Sequence, residues 1–199
     1  MFIVITGLDG SGTSTVAENL HQIDKESILV RTPSLEYANR DYIDSEVRKT
    51  SQLAHYLFYL SSVVYISEKI KKNFDYKNKN VYCVRYLIDT IVSHKSSGLE
   101  VELEYEKYNI LKPDLTIFIK LNEETRQKRI KERGESQLDK LLDDPERRNT
   151  FYYNFSKLLD SNSTIYFNNE SPDVESNVLK LFYEIQGRNN HEREIFIDR

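Results

Sequence analysis

The sequence predicts an α/β protein: a five-stranded parallel sheet flanked by helices. Three observations carry this reading. Five short apolar runs alternate along the chain with helical patterns, the signature of strand–helix–strand units. The first run ends in a glycine-rich turn that opens straight into a helix. The chain has 199 residues, 39% of them hydrophobic, and at that size folding hides about 70% of the unfolded surface. A sizeable core therefore needs no staples, and a single cysteine, Cys83, excludes a disulfide framework or a multi-cysteine zinc site.

Taken in order, Phe2 to Thr6 reads as a buried strand, and Thr13 to about Asp24 as a helix with Val16, Leu20 and Ile23 at helical spacing. Ser27 to Arg31 is a second strand, stopped by Pro33. The polar, Tyr-rich stretch 34–49 reads only as loop plus short helix. Leu53, Tyr56, Leu57, Leu60, Val63, Val64 and Ile70 recur at three and four, so 51–72 is an amphipathic helix. Val81 to Arg85 is a third strand and Leu87 to Lys95 a helix. Leu115 to Leu121 is the clearest strand. Asn122 then caps a helix that carries Glu123 and Glu124 in its first turn and stops at Gly134. Residues 135–148 are highly charged. A helix near 146–160, a strand from Thr164 to Phe167 and a helix from Pro172 to about Gln186 complete the core. The expected organisation is one domain over 1–187 and a loosely attached tail over 188–199.

A net charge of −4 argues against broad nucleic-acid or anionic-membrane binding. No apolar run approaches the roughly 20 residues that span a bilayer, and the first residues lack the pattern of a secretory leader. A cytoplasmic location is the expectation.

Ligands of parallel sheets collect at the carboxyl ends of strands. Gly7, Gly10 and Gly12 lie at the first such end, three of only six glycines. Gly7 to Ser14 has the spacing of a phosphate-binding loop, G-x-x-x-x-G-K-[ST], between a strand and a helix. Glycines let successive backbone N–H groups turn toward phosphate oxygens, and the helix N-terminus adds positive potential. Ser14 stands where a hydroxyl would coordinate Mg²⁺. Thr13 stands where the lysine belongs, so the charge must come from elsewhere. Arg126, Arg129 and Arg133 share one helical face and are candidates; a solvated face is the other reading of the same spacing. The four histidines, His21, His55, His94 and His191, show no metal or triad spacing.

These residues resemble the thymidylate kinase family of P-loop nucleoside monophosphate kinases, over nearly the whole chain to about Gln186. Phe2 to Thr15 is similar to that family's opening, F-I-x-x-E-G-x-D-G-[AS]-G-K-[ST]-T, and Val30 to Pro33 to its T-R-E-P. Tyr56 to Ser62 sits where the family has L-L-F-A-A-[ND]-R. Val84 to Tyr86 resembles its D-R-Y, Lys112 to Thr116 its R-P-D-L-T, and Arg129 to Gly134 with Leu138 to Lys140 its lid. The resemblance implies a three-layer P-loop NTPase fold and transfer of the γ-phosphoryl of ATP, with Mg²⁺, to a nucleoside monophosphate or nucleoside-like acceptor. It implies that Gly7, Gly10, Ser11, Gly12, Thr13, Ser14 and Thr15 hold the donor phosphates, with Ser14 on the metal. Asp9 would face the acceptor sugar, Phe58 would stack on its base, and Arg31 and Arg85 would lie near its phosphate. Arg129, Arg133 and Lys140 would belong to a mobile lid near 126–148; with Arg85 and Asp9, the two lid arginines are the expected catalytic set. A homodimer through the 51–72 helix is also implied.

The departures remove charge. Thr6 replaces the family glutamate, Thr13 the lysine, Val84 the aspartate of D-R-Y, and Ser62 the arginine that reads the base. Asp89, one turn after Arg85, is a candidate replacement for the lost aspartate; a plain position near the start of a helix is the alternative. Two further readings stay open: a degenerate nucleotide-binding sensor or partner subunit, and a kinase for a non-nucleotide small molecule.

Overall fold

The computed structural model describes residues 1–135 and 137–197. The chain runs β1 (Phe2–Gly7), α1 (Thr13–Ile23), β2 (Ile28–Arg31), α2 (Arg48–Thr50), α3 (Gln52–Asn73), β3 (Val81–Val84), α4 (Leu87–Lys95), β4 (Leu115–Lys120), α5 (Glu123–Arg133), α6 (Gln137–Leu141), α7 (Pro145–Leu158), β5 (Thr164–Asn168) and α8 (Val174–Ile197). All strand pairings are parallel, in the order β2-β3-β1-β4-β5. Val4 at the centre of β1 faces Cys83 of β3 on one side and Thr116 of β4 on the other.

β1 is buried at every position, as a central parallel strand must be when helices cover both faces. Its side chains alternate between two cores. Ile3 and Ile5 pack with Val16 and Leu20 of α1 and with Leu181 and Ile185 of α8. Phe2 and Val4 pack with Leu60, Val63 and Ile66 of α3 and with Leu87 and Ile91 of α4. The result is the predicted three-layer α/β architecture. β2 and β4 lie on opposite sides of β1 in the sheet. The connections leaving β1 and β3 therefore diverge, and a crevice opens at their carboxyl ends.

Two elements differ from the sequence reading. The helix expected to stop near Gln186 continues as α8 through Ile197. Residues 188–197 hold no proline and many helix-compatible charged residues, so nothing in their backbone chemistry ends it. Residues 198 and 199 of the expected tail, and the His191 side chain, lie outside the described set. The stretch 34–49 is a 3-10 turn at Leu35–Tyr37 and a π-helical segment at Ile43–Val47 that runs into α2. Its position decides the shape of the site.

Candidate functional site

The loop after β1 is built around two glycines. Gly10 and Gly12 have φ of 83° and 96°, the left-handed region that side chains rarely adopt. Space forbids a side chain as well. A Cβ on Gly10 would lie 2.8 Å from Ile130 Cγ1, and one on Gly12 2.5 Å from Asn169 Nδ2. α1 starts at Thr13 with no side-chain cap and no acidic residue in its first turn, so its positive end stays open to an anion. Ser11 Oγ is buried without a partner among the described residues.

Three arginines hold the loop from behind, each donating to one of its alternate carbonyls. Arg85 Nη1 donates to Gly7 O at 3.0 Å. Arg126 Nη1 donates to Asp9 O at 3.0 Å. Arg129 Nη1 donates to Ser11 O at 3.3 Å, and its Nη2 to Asn169 O at 3.0 Å. Asn169 Nδ2 adds a bond to Ser11 O at 2.9 Å.

The three differ in charge balance. Arg126 is buried and bidentate to Glu123, at 2.8 and 2.7 Å. Arg85, at φ 61° just after β3, turns back between two carboxylates. Nη2 contacts Asp9, and Nη1 donates to Asp89 at 2.9 Å. Burial opposes its charge, but Asp9 and Asp89 together raise its pKa further. Arg129 has no carboxylate partner among the described residues. It is the uncompensated cation beside the loop: a Cβ at Gly12 would sit 3.3 Å from its Nη1.

Asp89 is buried. It accepts from Thr6 Oγ1 at 2.6 Å, from Arg85, and from the Tyr86 N–H at 2.9 Å, which it caps at the start of α4. Burial raises its carboxyl above the usual range, against the opposing pull of Arg85, Thr6 and Tyr86. A carboxylate is therefore present at the end of β1, delivered from α4 rather than from position 6 or 84. Val84 itself is core.

Next to the loop lies a cavity of about 560 Å³. Asp9, Arg85 and Asp89 form its loop end, and Thr32 and Pro33 line it further along. Arg40, Asp44 and Arg48 from the segment before α3 contribute to its wall, as do His55, Tyr59 and His94. These last groups form a chain. His94 Nδ1 lies 2.7 Å from Thr90 O, His94 Nε2 lies 2.8 Å from His55 Nδ1, and His55 Nε2 lies 3.0 Å from Asp44 Oδ1. Tyr59 donates to the same Asp44 oxygen at 2.7 Å. A carbonyl only accepts, so His94 Nδ1 carries a proton. One proton serves the contact between the rings and a third serves Asp44. Burial tends to raise the Asp44 pKa, but His55, Tyr59 and Arg40 outweigh it and hold the group low.

Burial, aided by the charge on His55, pushes the His94 imidazole from 6.5 down to about 4. In the unfolded chain it binds a proton below about pH 6.5, so the unfolded state takes up more protons than the native one in this window. Stability should fall as pH falls from about 6.5 to 4, by on the order of 3 kcal/mol from this group. Thermal melts across that range check it, and His94→Asn should flatten the corresponding part of the slope.

The remaining sequence-predicted residues are distributed as follows. Thr13 is buried at the start of α1, with Ser14 and Thr15 exposed. Arg31 pairs with Glu18 of α1 at 3.6 Å, both half exposed, and does not line the cavity. Phe58 packs edge-on against Tyr37 and Tyr59, so Tyr59 is the ring at the cavity wall. Arg133 grips Asp139 at 2.7 and 2.8 Å, and Lys140 is exposed. Ser62 is buried away from the cavity. Sequence reasoning missed Asp44, Asn169 and the His55–His94 contact. The two histidines are 39 positions apart on separate helices, a juxtaposition no local spacing reveals.

The glycine loop, the open helix end and the orphaned Ser11 hydroxyl fit a polyphosphate, and Ser14 offers one hard oxygen ligand. Among the described residues no group of three or more His, Cys, Asp or Glu side chains forms a metal cage. That suits Mg²⁺ held chiefly by substrate phosphates and water. Also among the described residues, no helix is long and apolar enough to cross a membrane.

A phosphate loop at the switch point of a parallel sheet, with a cavity beside it at the strand ends, defines a P-loop phosphotransferase. Residues 5–180 match the family described as thymidylate kinase. The chain belongs to the thymidylate kinase family and is a phosphotransferase of the nucleotide kinase class. It is 26% identical to the thymidylate kinase of Mycoplasma capricolum subsp. capricolum, covering 92% of this chain and 95% of that one. To the thymidylate kinase of an Exiguobacterium species it is 28% identical, over 71% and 72% of the two chains. Among solved structures, Candida albicans thymidylate kinase superposes with a TM-score of 0.69 at 20% identity, covering 96% and 92% of the two chains. The deoxyadenosine kinase of M. mycoides does so with 0.68 at 19%, covering 94% and 100%. These two likenesses concern the fold.

Proposed function

We propose that the protein transfers the γ-phosphoryl of ATP to a nucleoside or nucleoside monophosphate held in the cavity beside the loop. The observation that carries this reading is the loop itself. Arginines draw the carbonyls of Gly7, Asp9 and Ser11 outward, and the uncapped start of α1 faces the space in front. Phosphoryl transfer is mainly positioning and charge neutralisation. In this reading the residues from Gly7 to Thr15 grip the donor phosphates, and Arg129 supplies the charge that Thr13 lacks. Bound Mg²⁺ would rest on Ser14 and neutralise phosphate charge during transfer. Arg85 is held in place by Asp9 and Asp89, while Tyr59 and the histidine pair shape the acceptor wall. Residues 126–148 would act as a lid that excludes water; Arg133 and Lys140 would serve that closure, with Arg31 and Phe58 at its acceptor side. The location this implies is the cytoplasm. A homodimer through α3 belongs to the same reading, since Leu53 and Leu57 lie exposed one helical turn apart.

The test is ADP formation from ATP and Mg²⁺ with a panel of nucleosides and monophosphates. Acceptor-dependent ADP is expected. A protein that binds ATP and yet forms no ADP with any acceptor would be a binding subunit, and the kinase reading would fail.

A further inference from the structure

We propose that Arg48 reads the base of the acceptor and selects one with a carbonyl oxygen on the edge remote from the sugar, as in uracil, thymine and guanine. The proposal rests on the kinase reading above and deepens it by naming the residue that chooses the base. The direction of the acceptor follows from the cavity. Its loop end holds Asp9, Arg85 and Asp89, and the group that receives the phosphoryl must lie there, beside the donor phosphates. From that end α4 forms one wall, through Asp89, Thr90, Ser93 and His94 in turn. Asp89 to His94 spans about 7.5 Å along the helix axis. An acceptor seated with its reacting group at the loop therefore extends its base toward Ser93, His94 and the segment before α3.

Arg48 stands at that far end. It lines the cavity half-buried, and its Nη2 donates to Ser97 Oγ, just past α4, at 3.3 Å. Its charge acts on both Tyr59 and His94, as it does from a place beside them. Among the described residues it has no carboxylate partner. The neighbouring polar groups are committed to one another. His94 Nδ1 is bound to Thr90 O, His94 Nε2 to His55 Nδ1, and His55 Nε2 to Asp44 Oδ1. Tyr59 donates to the same Asp44 oxygen, and Arg40 lies 3.3 Å from Asp44 Oδ2. Asp41, the remaining carboxylate of this wall, is solvent-exposed.

An arginine has five N–H donors and no acceptor, and here one of them serves Ser97. Donors shielded from water without a partner are costly, so the ligand must bring an acceptor to them. Uracil and cytosine differ on the edge remote from the sugar, with a carbonyl oxygen in one and an amino group in the other. Guanine and adenine differ in the same way. A carbonyl oxygen meets the guanidinium, whereas an amino group sets donor against donor. The Ser45 and Ser93 hydroxyls, also in the wall, can donate or accept, so they follow the base and do not choose it. The choice falls to Arg48.

The experiment measures kcat/KM with ATP and Mg²⁺ for the full chain, using the deoxynucleosides of uracil, thymine, cytosine, guanine and adenine, each also as its 5′-monophosphate. In whichever form is phosphorylated, the best acceptor should carry uracil, thymine or guanine. It should exceed its amino counterpart, cytosine or adenine, about tenfold or more. Arg48→Met should bring that ratio to within about threefold of unity, chiefly by raising KM for the carbonyl base, and Arg48→Lys, which keeps a donor, should retain part of it. A residue that only braced the wall would change all acceptors alike and leave the ratio as it was. A wild-type preference for cytosine or adenine, a wild-type ratio below about tenfold, or a ratio that survives in Arg48→Met overturns the proposal and leaves the kinase reading standing. Absence of acceptor-dependent ADP with every compound overturns both. The wild-type comparison depends on no variant folding.

Discussion

Replacing Arg129 with methionine should lower kcat by about two to three orders of magnitude, the typical cost of removing one preorganised charge or donor from a transition state. Arg126 and Arg85 touch the same loop but are neutralised, one by Glu123 and the other by Asp9 and Asp89. Among the described residues Arg129 donates to the carbonyls of Ser11 and Asn169 and has no carboxylate partner, which leaves its charge available to a phosphate. The decisive comparison is a double variant. Thr13 follows Gly12, whose missing side chain would come within 3.3 Å of the Arg129 guanidinium, so a lysine at position 13 reaches the same region. Thr13→Lys in the Arg129→Met background should restore at least tenfold of the lost kcat. It should do far less in the wild type, where the charge is already supplied. Steady-state rates at saturating ATP and acceptor decide this; an Arg129→Met protein within threefold of wild type would show that the charge comes from another residue.

Asp89→Ala should be the most destabilising single change at the site. It strips a buried carboxylate from Arg85 and leaves the Thr6 hydroxyl and the Tyr86 N–H without their acceptor. Breaking a buried pair from one side costs roughly 3–5 kcal/mol, and at this chain length each kcal/mol moves Tm by about 2–4 °C. A drop of roughly 10 °C is expected in thermal denaturation. Asp89→Asn keeps one acceptor oxygen, enough for Thr6 Oγ1 or the Tyr86 N–H but not for both, and loses the charge, so it should fall between. Equal melting of wild type and Asp89→Ala would show that the cluster contributes nothing to stability.

The sheet was legible because its central strands are buried on both faces and read as apolar runs, as at Phe2 to Ile5 and Ile117 to Ile119. The phosphate loop was legible because its chemistry is local, with each glycine needed at a fixed offset. Asp89 could be named from its place one turn after Arg85. What spacing could not supply was the far side of each contact. Arg126, Arg129 and Arg133 do share a helical face, yet one is buried on Glu123, one lies on the loop and one grips Asp139. Helical period fixes the direction of a side chain; what stands opposite depends on the tertiary fold. The stretch 34–49 has no period to read, although it supplies Asp44, Arg40 and Arg48 to the cavity wall. The end of α8 was misplaced because a polar run without a helix breaker looks the same as a tail.

The alternate loop carbonyls held by Arg85, Arg126 and Arg129 bear on how such a site can change over evolution. The loop is eight residues of local sequence, but the cations that shape it come from the end of β3 and from α5, more than seventy and more than a hundred positions away. It is not a portable cassette. Moved alone into a strand–helix turn of another fold, residues 7–14 would arrive without the arginine contacts that hold them here.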